Sequence, residues 1–178
     1  MSNFSELSLT RQSCRNFSDK RVEREKMIKC VETARLSPSA CNSQPWSVVA
    51  VINDDLVAEI GKATQPIGMN PTMTSAKAFF VITEEFALLM PKIRCALDSQ
   101  YFAQGDIGAF AASLCYEATE QGLASCIIGV FDRERLWELL DLPREKRIRL
   151  LVAVGYPADE TIRDKVRKPM ENFFRIVE

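Results

Sequence analysis

The hydrophobic positions along this chain fall either at helical spacing or in short unbroken runs, and the switches between the two divide it into elements. From Glu23 to Leu36, Met27, Ile28, Val31 and Ala34 fall close to every 3.6 residues, which predicts a helix with one buried face. Ser37-Pro38 ends it, because the proline ring disfavours helical backbone at the preceding residue. Trp46–Ile52 is apolar and β-branched, as a strand requires. Asn53 or Asp54 can cap a short helix carrying Leu56, Val57 and Ile60. From Gly61 to Thr74, Gly, Pro, Thr and Asn crowd into a loop. Ala78–Thr83 reads as a second strand. The strongest pattern lies in Asp106–Gln121, where Ile107, Phe110, Ala111, Leu114, Cys115 and Ala118 line one helical face and Gly122 supplies the stop. Its small residues (Gly108, Ala109, Ala111, Ala112, Ser113) leave room for another helix to approach. Ser125–Val130 predicts a third strand. Asp132 opens a helix bearing Leu136, Leu139 and Leu140, which Pro143 ends. Arg149–Gly155 is a fourth strand, and Asn172–Val177 a candidate fifth.

Interleaved helices and strands place the chain among mixed α/β or α+β folds, with helices covering one sheet. No repeat or interdomain seam interrupts residues 1–178, so a single domain is expected, and 178 residues can bury a sizeable core without staples. Charge is nearly balanced, with 23 Lys and Arg against 24 Asp and Glu, so no global footprint for nucleic acid exists. Apolar runs such as Leu150–Val154 and Ala78–Ile82 are too short to span a bilayer, so no membrane partner is expected. Met1–Leu9 carries Glu6 and no continuous apolar core, unlike a secretory signal.

The chain has no histidine, which removes His-based triads, His metal sites and imidazole acid–base chemistry. Six cysteines (Cys14, Cys30, Cys41, Cys95, Cys115, Cys126) form no C-x-x-C pair, so the zinc-ribbon spacing is missing and no metal site is expected. Cys30, Cys115 and Cys126 lie in apolar segments and read as buried thiols. A cytoplasmic protein with reduced thiols is the resulting expectation.

Three segments could carry chemistry. In Arg11-Gln12-Ser13-Cys14-Arg15 an extended backbone would turn Arg11, Ser13 and Arg15 to one face. Two guanidiniums beside a hydroxyl suit an anion clamp; a solvated basic turn has the same composition. Pro38-Ser39-Ala40-Cys41-Asn42-Ser43-Gln44-Pro45-Trp46 offers a dense set of donors and acceptors between a helix and a strand. It reads equally as a binding loop or a turn that satisfies its own backbone. Arg163, Lys165, Arg167 and Lys168 form a third basic group, which in isolation is a solvated face. Neither G-x-G-x-x-G nor G-x-x-x-x-G-K-[ST] occurs, so a dinucleotide or ATP cradle of those types is disfavoured.

Taken in order, these segments resemble the FMN-dependent nitroreductase family, from Arg11 to about Arg167. Besides the Arg11–Arg15 and Ala34–Trp46 motifs, the landmarks are Gly68-Met69-Asn70-Pro71, Asp106-Ile107-Gly108, Gly122–Gly129 followed by Phe131-Asp132, Gly155-Tyr156-Pro157, and Arg167-Lys168-Pro169. The resemblance implies an α+β, three-layer sandwich with a mainly antiparallel central sheet flanked by helices. It also implies a homodimer with two shared FMN sites, the Asp106–Gln121 helix at its core and Asn172–Val177 exchanged as a strand between subunits. By match to the motifs, Arg11, Ser13, Lys165 and Arg167 hold the FMN phosphate. Arg15 lies near the flavin pyrimidine edge, where a fixed cation favours the reduced ring, and Asn70 hydrogen-bonds the same edge. Ser39 and Asn42 come from the partner chain, and the Ile128–Gly129 backbone approaches the reactive flavin nitrogen.

The implied activity is ping-pong: NADH or NADPH gives a hydride to FMN, leaves, and a small electron acceptor such as a nitroaromatic or quinone takes its place. No catalytic side chain is needed, in keeping with the absence of His. A specialised reductase or dehalogenase of the same fold, and a non-catalytic flavin-binding sensor, are the alternatives; the short Glu84–Ile93 connection argues against a sealed lid and so against the sensor. The sequence departs from the family pattern at Ser37 (commonly Ala), at Val130 (often a second Gly) and at Ala112-Ser113 (commonly Gln-Asn), where loss of a polar contact is expected.

Overall fold

Alternation along two central strands decides the architecture. The computed structural model describes residues 3–92 and 100–178. It contains helices α1 (Phe4–Thr10), α2 (Arg24–Ala34), α3 (Asp54–Ala63), α4 (Ala103–Glu120) and α5 (Arg133–Leu139). Strands β1 (Trp46–Val51), β2 (Ala78–Glu84), β3 (Ala124–Ile128) and β4 (Arg147–Gly155) pair antiparallel in the order β1-β2-β4-β3. Ala78, Phe80, Ile82, Val152 and Val154 enter a core shared with Met27, Cys30, Phe110 and Leu114 of α2 and α4. Phe79, Val81, Leu151 and Ala153 enter a second core with Val57, Ile60 and Leu136 of α3 and α5. The result is the expected three-layer α+β sandwich.

A bulge between Ile82 and Thr83 lets β4 carry one extra residue: Ile82 faces Leu150, Thr83 faces Ile148, and Arg149 has no counterpart. The displaced Arg149 guanidinium meets the carboxylate of Glu84, which is 7% exposed. A buried acid in a sheet needs such a partner.

The long helix follows its sequence pattern closely. Ile107, Phe110, Ala111, Leu114, Cys115 and Ala118 are all buried, with Ala103 one turn earlier. It ends at Gly122, whose φ of +73° suits glycine, while the Leu123 N–H returns to the Ala118 carbonyl at 2.8 Å. Lys26 Nζ from α2 donates to the Gln121 carbonyl at 2.7 Å and to the Tyr156 hydroxyl at 2.8 Å, tying both helices to the end of β4. Ser37 Oγ donates to Ser113 Oγ at 2.9 Å, and Ser113 Oγ donates to the Ala109 carbonyl at 3.0 Å. Two positions that depart from the family pattern, Ser37 and Ser113, are thus hydrogen-bonded to each other.

Other differences from the sequence reading have physical reasons. Helix α1 was not anticipated because it buries no residue and so leaves no apolar period. Gly61 to Ala63 belong to α3 rather than to the loop that follows. Asn172–Val177 forms no strand within the chain: Met170–Asn172 is a 3₁₀ turn, and Phe173, Phe174, Ile176 and Val177 are exposed. A strand needs an edge to pair with, and among the described residues the segment pairs with none. Cys30, Cys115 and Cys126 are buried as expected, and burial pushes the Cys30 thiol up to about 12. Cys95 and Ile93, the end of the Glu84–Ile93 connection, lie outside the described residues.

At the end of β4, a Cβ on Gly155 would stand 2.8 Å from Phe17 Cδ1 and 3.1 Å from its Cβ. Phe17 is 5% exposed and bridges to Pro157, so its ring has little room to yield. We expect Gly155→Ala to destabilise the fold by about 1–3 kcal/mol, seen as a lower urea midpoint; an unchanged midpoint would mean that the ring swings aside freely.

Candidate functional site

Where α1 ends, Arg11 takes extended backbone and the next residues run beside β3. Ser13 pairs with Ser125 in parallel, and the Cys14 N–H donates to the Ser125 carbonyl at 2.9 Å. This extension gives the Arg11–Arg15 motif the alternation its spacing suggested. The chain's far end then returns over it. Gln12 Nε2 donates to the Thr161 carbonyl at 2.8 Å, and the Arg163 backbone N–H and Nε donate to Gln12 Oε1 at 3.2 and 3.0 Å. Arg163 Nη2 donates to the Ser13 carbonyl at 2.6 Å, and Lys165 Nζ to the Arg11 carbonyl at 2.7 Å.

These bonds build a cleft of about 260 Å³ that Arg11, Ser13, Arg15, Arg163, Lys165 and Arg167 line, together with Gln12 and Asp164. Five cations thus face one acid. Desolvation and the nearby Arg11, Arg167 and Arg163 hold the Lys165 ammonium below the usual lysine range. Such a cleft is suited to a multiply charged anion, since each added negative charge relieves repulsion among its walls. Of the residues singled out in the sequence, Arg11, Ser13, Arg15, Lys165 and Arg167 are brought together here.

A second opening of about 400 Å³ shares Gln12, Ser13, Arg15 and Arg163 with the first and continues to Thr72. The loop before Thr72 contains left-handed residues, Ile67 at φ 52° and Asn70 at φ 49°. For a β-branched residue that backbone costs on the order of 1–3 kcal/mol and persists only where surroundings enforce it. Backbone bonds close the turn, Gly68 N–H to the Gln65 carbonyl and Met69 N–H to the Pro66 carbonyl, both at 3.2 Å, and Asn70 pins the loop beyond it: its Nδ2 donates to the Thr64 carbonyl at 2.9 Å and to the Val130 carbonyl at 3.2 Å. Both amide hydrogens are committed, and Oδ1 is left as an acceptor. Asn70 and the Ile128–Val130 backbone are therefore neighbours. A Cβ added to Gly129 would meet no atom within 4 Å, so the backbone there is open to an incoming group.

Ser39 and Asn42 do not join this assembly within the chain. They sit on a loop with left-handed Cys41, Asn42 and Gln44, where Ser39 Oγ accepts from the Gln44 N–H at 3.0 Å. Asp106 of α4 anchors the loop by accepting the Ala40 N–H at 3.1 Å. Sequence reasoning missed Gln12 and Arg163 as site residues. The signal was present for Arg163: Arg163, Lys165 and Arg167 alternate as Arg11, Ser13 and Arg15 do.

Comparison with known proteins places these features. The model of the Nitroreductase family matches residues 9–156. An oxygen-insensitive NADPH nitroreductase of Helicobacter acinonychis is 31% identical over 191 residues, spanning 89% of this chain and 89% of that protein. An iodotyrosine deiodinase of Haliscomenobacter hydrossis is 25% identical over 172 residues, spanning 84% and 77%. The crystal structure of a nitroreductase family protein from Streptococcus pneumoniae superposes with a TM-score of 0.83 at 25% identity, covering 98% of this chain and 100% of that one. With the family model matching residues 9–156 and the sandwich shared with a solved member, this chain belongs to the nitroreductase family of oxidoreductases.

Proposed function

We propose that residues 1–178 form one FMN-binding domain that acts, as a homodimer, in NAD(P)H-driven reduction of nitroaromatics, quinones or similar small acceptors. The single observation that carries this reading is the cleft in which Arg11, Arg15, Arg163, Lys165 and Arg167 surround Ser13. Its donor set fits a flavin mononucleotide: a dianionic phosphate tail calls for several cations and a hydroxyl, and the adjoining opening toward Thr72 gives the rest of the molecule a path. When bound, the flavin supplies the group that takes a hydride from the nicotinamide and passes electrons to the acceptor.

This chain's own residues bind and orient. Arg11, Ser13, Lys165 and Arg167 hold the phosphate. Arg15 places a permanent positive charge at the pyrimidine edge and favours its reduced, anionic form. With its Nδ2 spent on Thr64 and Val130, Asn70 offers Oδ1 to an N–H of that edge rather than donating to it. The Ile128–Gly129 backbone approaches the reactive nitrogen where no Cβ intrudes. Ser39 and Asn42 serve the partner's site. Free thiols at the described cysteines suit a cytoplasmic location. Among the described residues no helix is long and apolar enough to cross a membrane.

Two surfaces support the dimer. Gly105 and Gly108 leave a stretch of α4 without side-chain cover, and a Cβ at either would meet no atom within 4 Å. Among the described residues the outer edge of β1 is unpaired, beside a groove of about 440 Å³ lined in part by Met27, Ile28, Val31 and Ile52. The exposed Phe173, Phe174, Ile176 and Val177 of a second copy have the chemistry to fill it. A second reading, a specialised reductase or dehalogenase, is favoured by the likeness to the iodotyrosine deiodinase; turnover of a halogenated tyrosine in preference to a nitroaromatic would select it.

The purified protein is expected to be yellow and to bleach anaerobically with NADH or NADPH; colour that neither nucleotide bleaches would overturn the reductase reading. Arg11→Ala should weaken FMN binding by roughly tenfold or more, the loss of a charge-assisted contact, whereas Arg144→Ala on the surface should not; equal affinities by fluorescence titration would remove Arg11 from the phosphate site. Gly108→Leu should shift sedimentation from dimer to monomer and release flavin. A monomer that retains FMN would refute the shared site.

A further inference from the structure

A cleft walled by five cations has to be held shut by something other than charge, because its two sides repel. One side is the Arg11–Arg15 strand; the other is the segment 161–167, whose residues are almost all exposed. Gln12 stands between them. Its Oε1 accepts both the backbone N–H and the Nε of Arg163, and its Nε2 donates to the Thr161 carbonyl, at 3.2, 3.0 and 2.8 Å. A neutral amide offers an acceptor and two donors on one group, so it can bind a peptide backbone and a guanidinium at once without adding a charge.

We propose that Gln12 is a positioning residue that latches the 161–167 segment onto the Arg11–Arg15 strand and thereby assembles the anion clamp. Gln12 touches neither reacting atoms nor, in this role, the phosphate; it acts through Arg163 and Thr161. The latch fixes Arg163, whose Nη2 then caps the Ser13 carbonyl at 2.6 Å. It also brings Lys165, two residues on, to the Arg11 carbonyl at 2.7 Å. Arg163, Lys165 and Arg167 stand at alternate positions and all three line the same cleft, so seating the first holds the other two near it. A charged residue at position 12 would not serve equally: a cation would add to the repulsion, and a carboxylate would face the phosphate and lose the donor to Thr161. The inference rests on the reading of the cleft as a flavin phosphate site and deepens it.

The test compares FMN with riboflavin, which lacks the phosphate, by flavin fluorescence titration of the full chain. Gln12→Met keeps the side-chain length and removes the amide. It is expected to lower FMN affinity by roughly tenfold, since one of the three latch bonds comes from the charged Arg163 guanidinium, while leaving riboflavin affinity within about twofold, because riboflavin has no phosphate for the clamp to hold. Trypsin should cut faster after Arg163 and Lys165 in the flavin-free variant than in the flavin-free parent. Arg163→Met should lower FMN affinity as well, and the double variant should lose less than the sum of the two, the mark of residues acting as one unit. Equal losses for FMN and riboflavin would mean general structural damage and overturn the positioning role. If Gln12→Met leaves the FMN preference intact while Arg11→Ala abolishes it, the latch is refuted and the phosphate site stands. If Arg11→Ala also leaves that preference intact, the phosphate site fails and the latch with it.

Discussion

Repulsion between like charges is the constraint around which this structure is organised. Arg11 and Arg15 come from the start of the chain and Arg163, Lys165 and Arg167 from its end, yet they share one cleft. Near a protein surface two unit charges at roughly 4 Å repel by about 4 kcal/mol, a cost that no apolar packing within the cleft offsets. The chain meets it with neutral contacts: main-chain carbonyls of Arg11 and Ser13 receive Lys165 and Arg163, and the Gln12 amide joins the two sides. The sandwich beneath provides the rigid platform, since the Arg11–Arg15 strand is seated against Ser125 of β3.

That platform was largely legible in the sequence because burial leaves a mark on its elements. α2, α3, α4 and α5 each bury one face and write a period of 3.6, whereas the strands, β2 above all, are packed between two layers and show as short runs of apolar residues. Helix α1 buries nothing and wrote nothing. The bulge at Arg149 was invisible as well, because an inserted residue changes the phase of a strand without changing its composition. Asn172–Val177 looks like a strand from its own residues, but pairing is decided by an edge that its own chain does not place beside it.

The site was legible in a different way. The cations of the Arg11–Arg15 and Lys165–Arg167 motifs could be named from family likeness, and they do meet. What tied them together could not, because the bonds from Gln12 to Thr161 and Arg163 span about 150 positions (|i−j| of 149 and 151). Asn70 illustrates the same limit. Its residue type suits a flavin edge, but only the fold reveals that its amide hydrogens are committed to Thr64 and Val130. Ser37 and Ser113 each looked like an isolated departure, but a hydrogen bond joins the first, in the bend after α2, to the second on α4.

The extra residue in β4 has a consequence for how this sequence can change. Beyond the bulge, Ile148 packs into the core beneath α3 and α5, the same one that receives Leu151 and Ala153. Strict alternation from those two residues would have sent it to the opposite layer. Excising Arg149 would make the strand regular on paper, but it would swing Ile148 out of its hydrophobic seat and strip Glu84 of its nearest counter-charge. Length variation is thus barred at this point of the strand, and any drift there must proceed by replacement, never by gain or loss of a position.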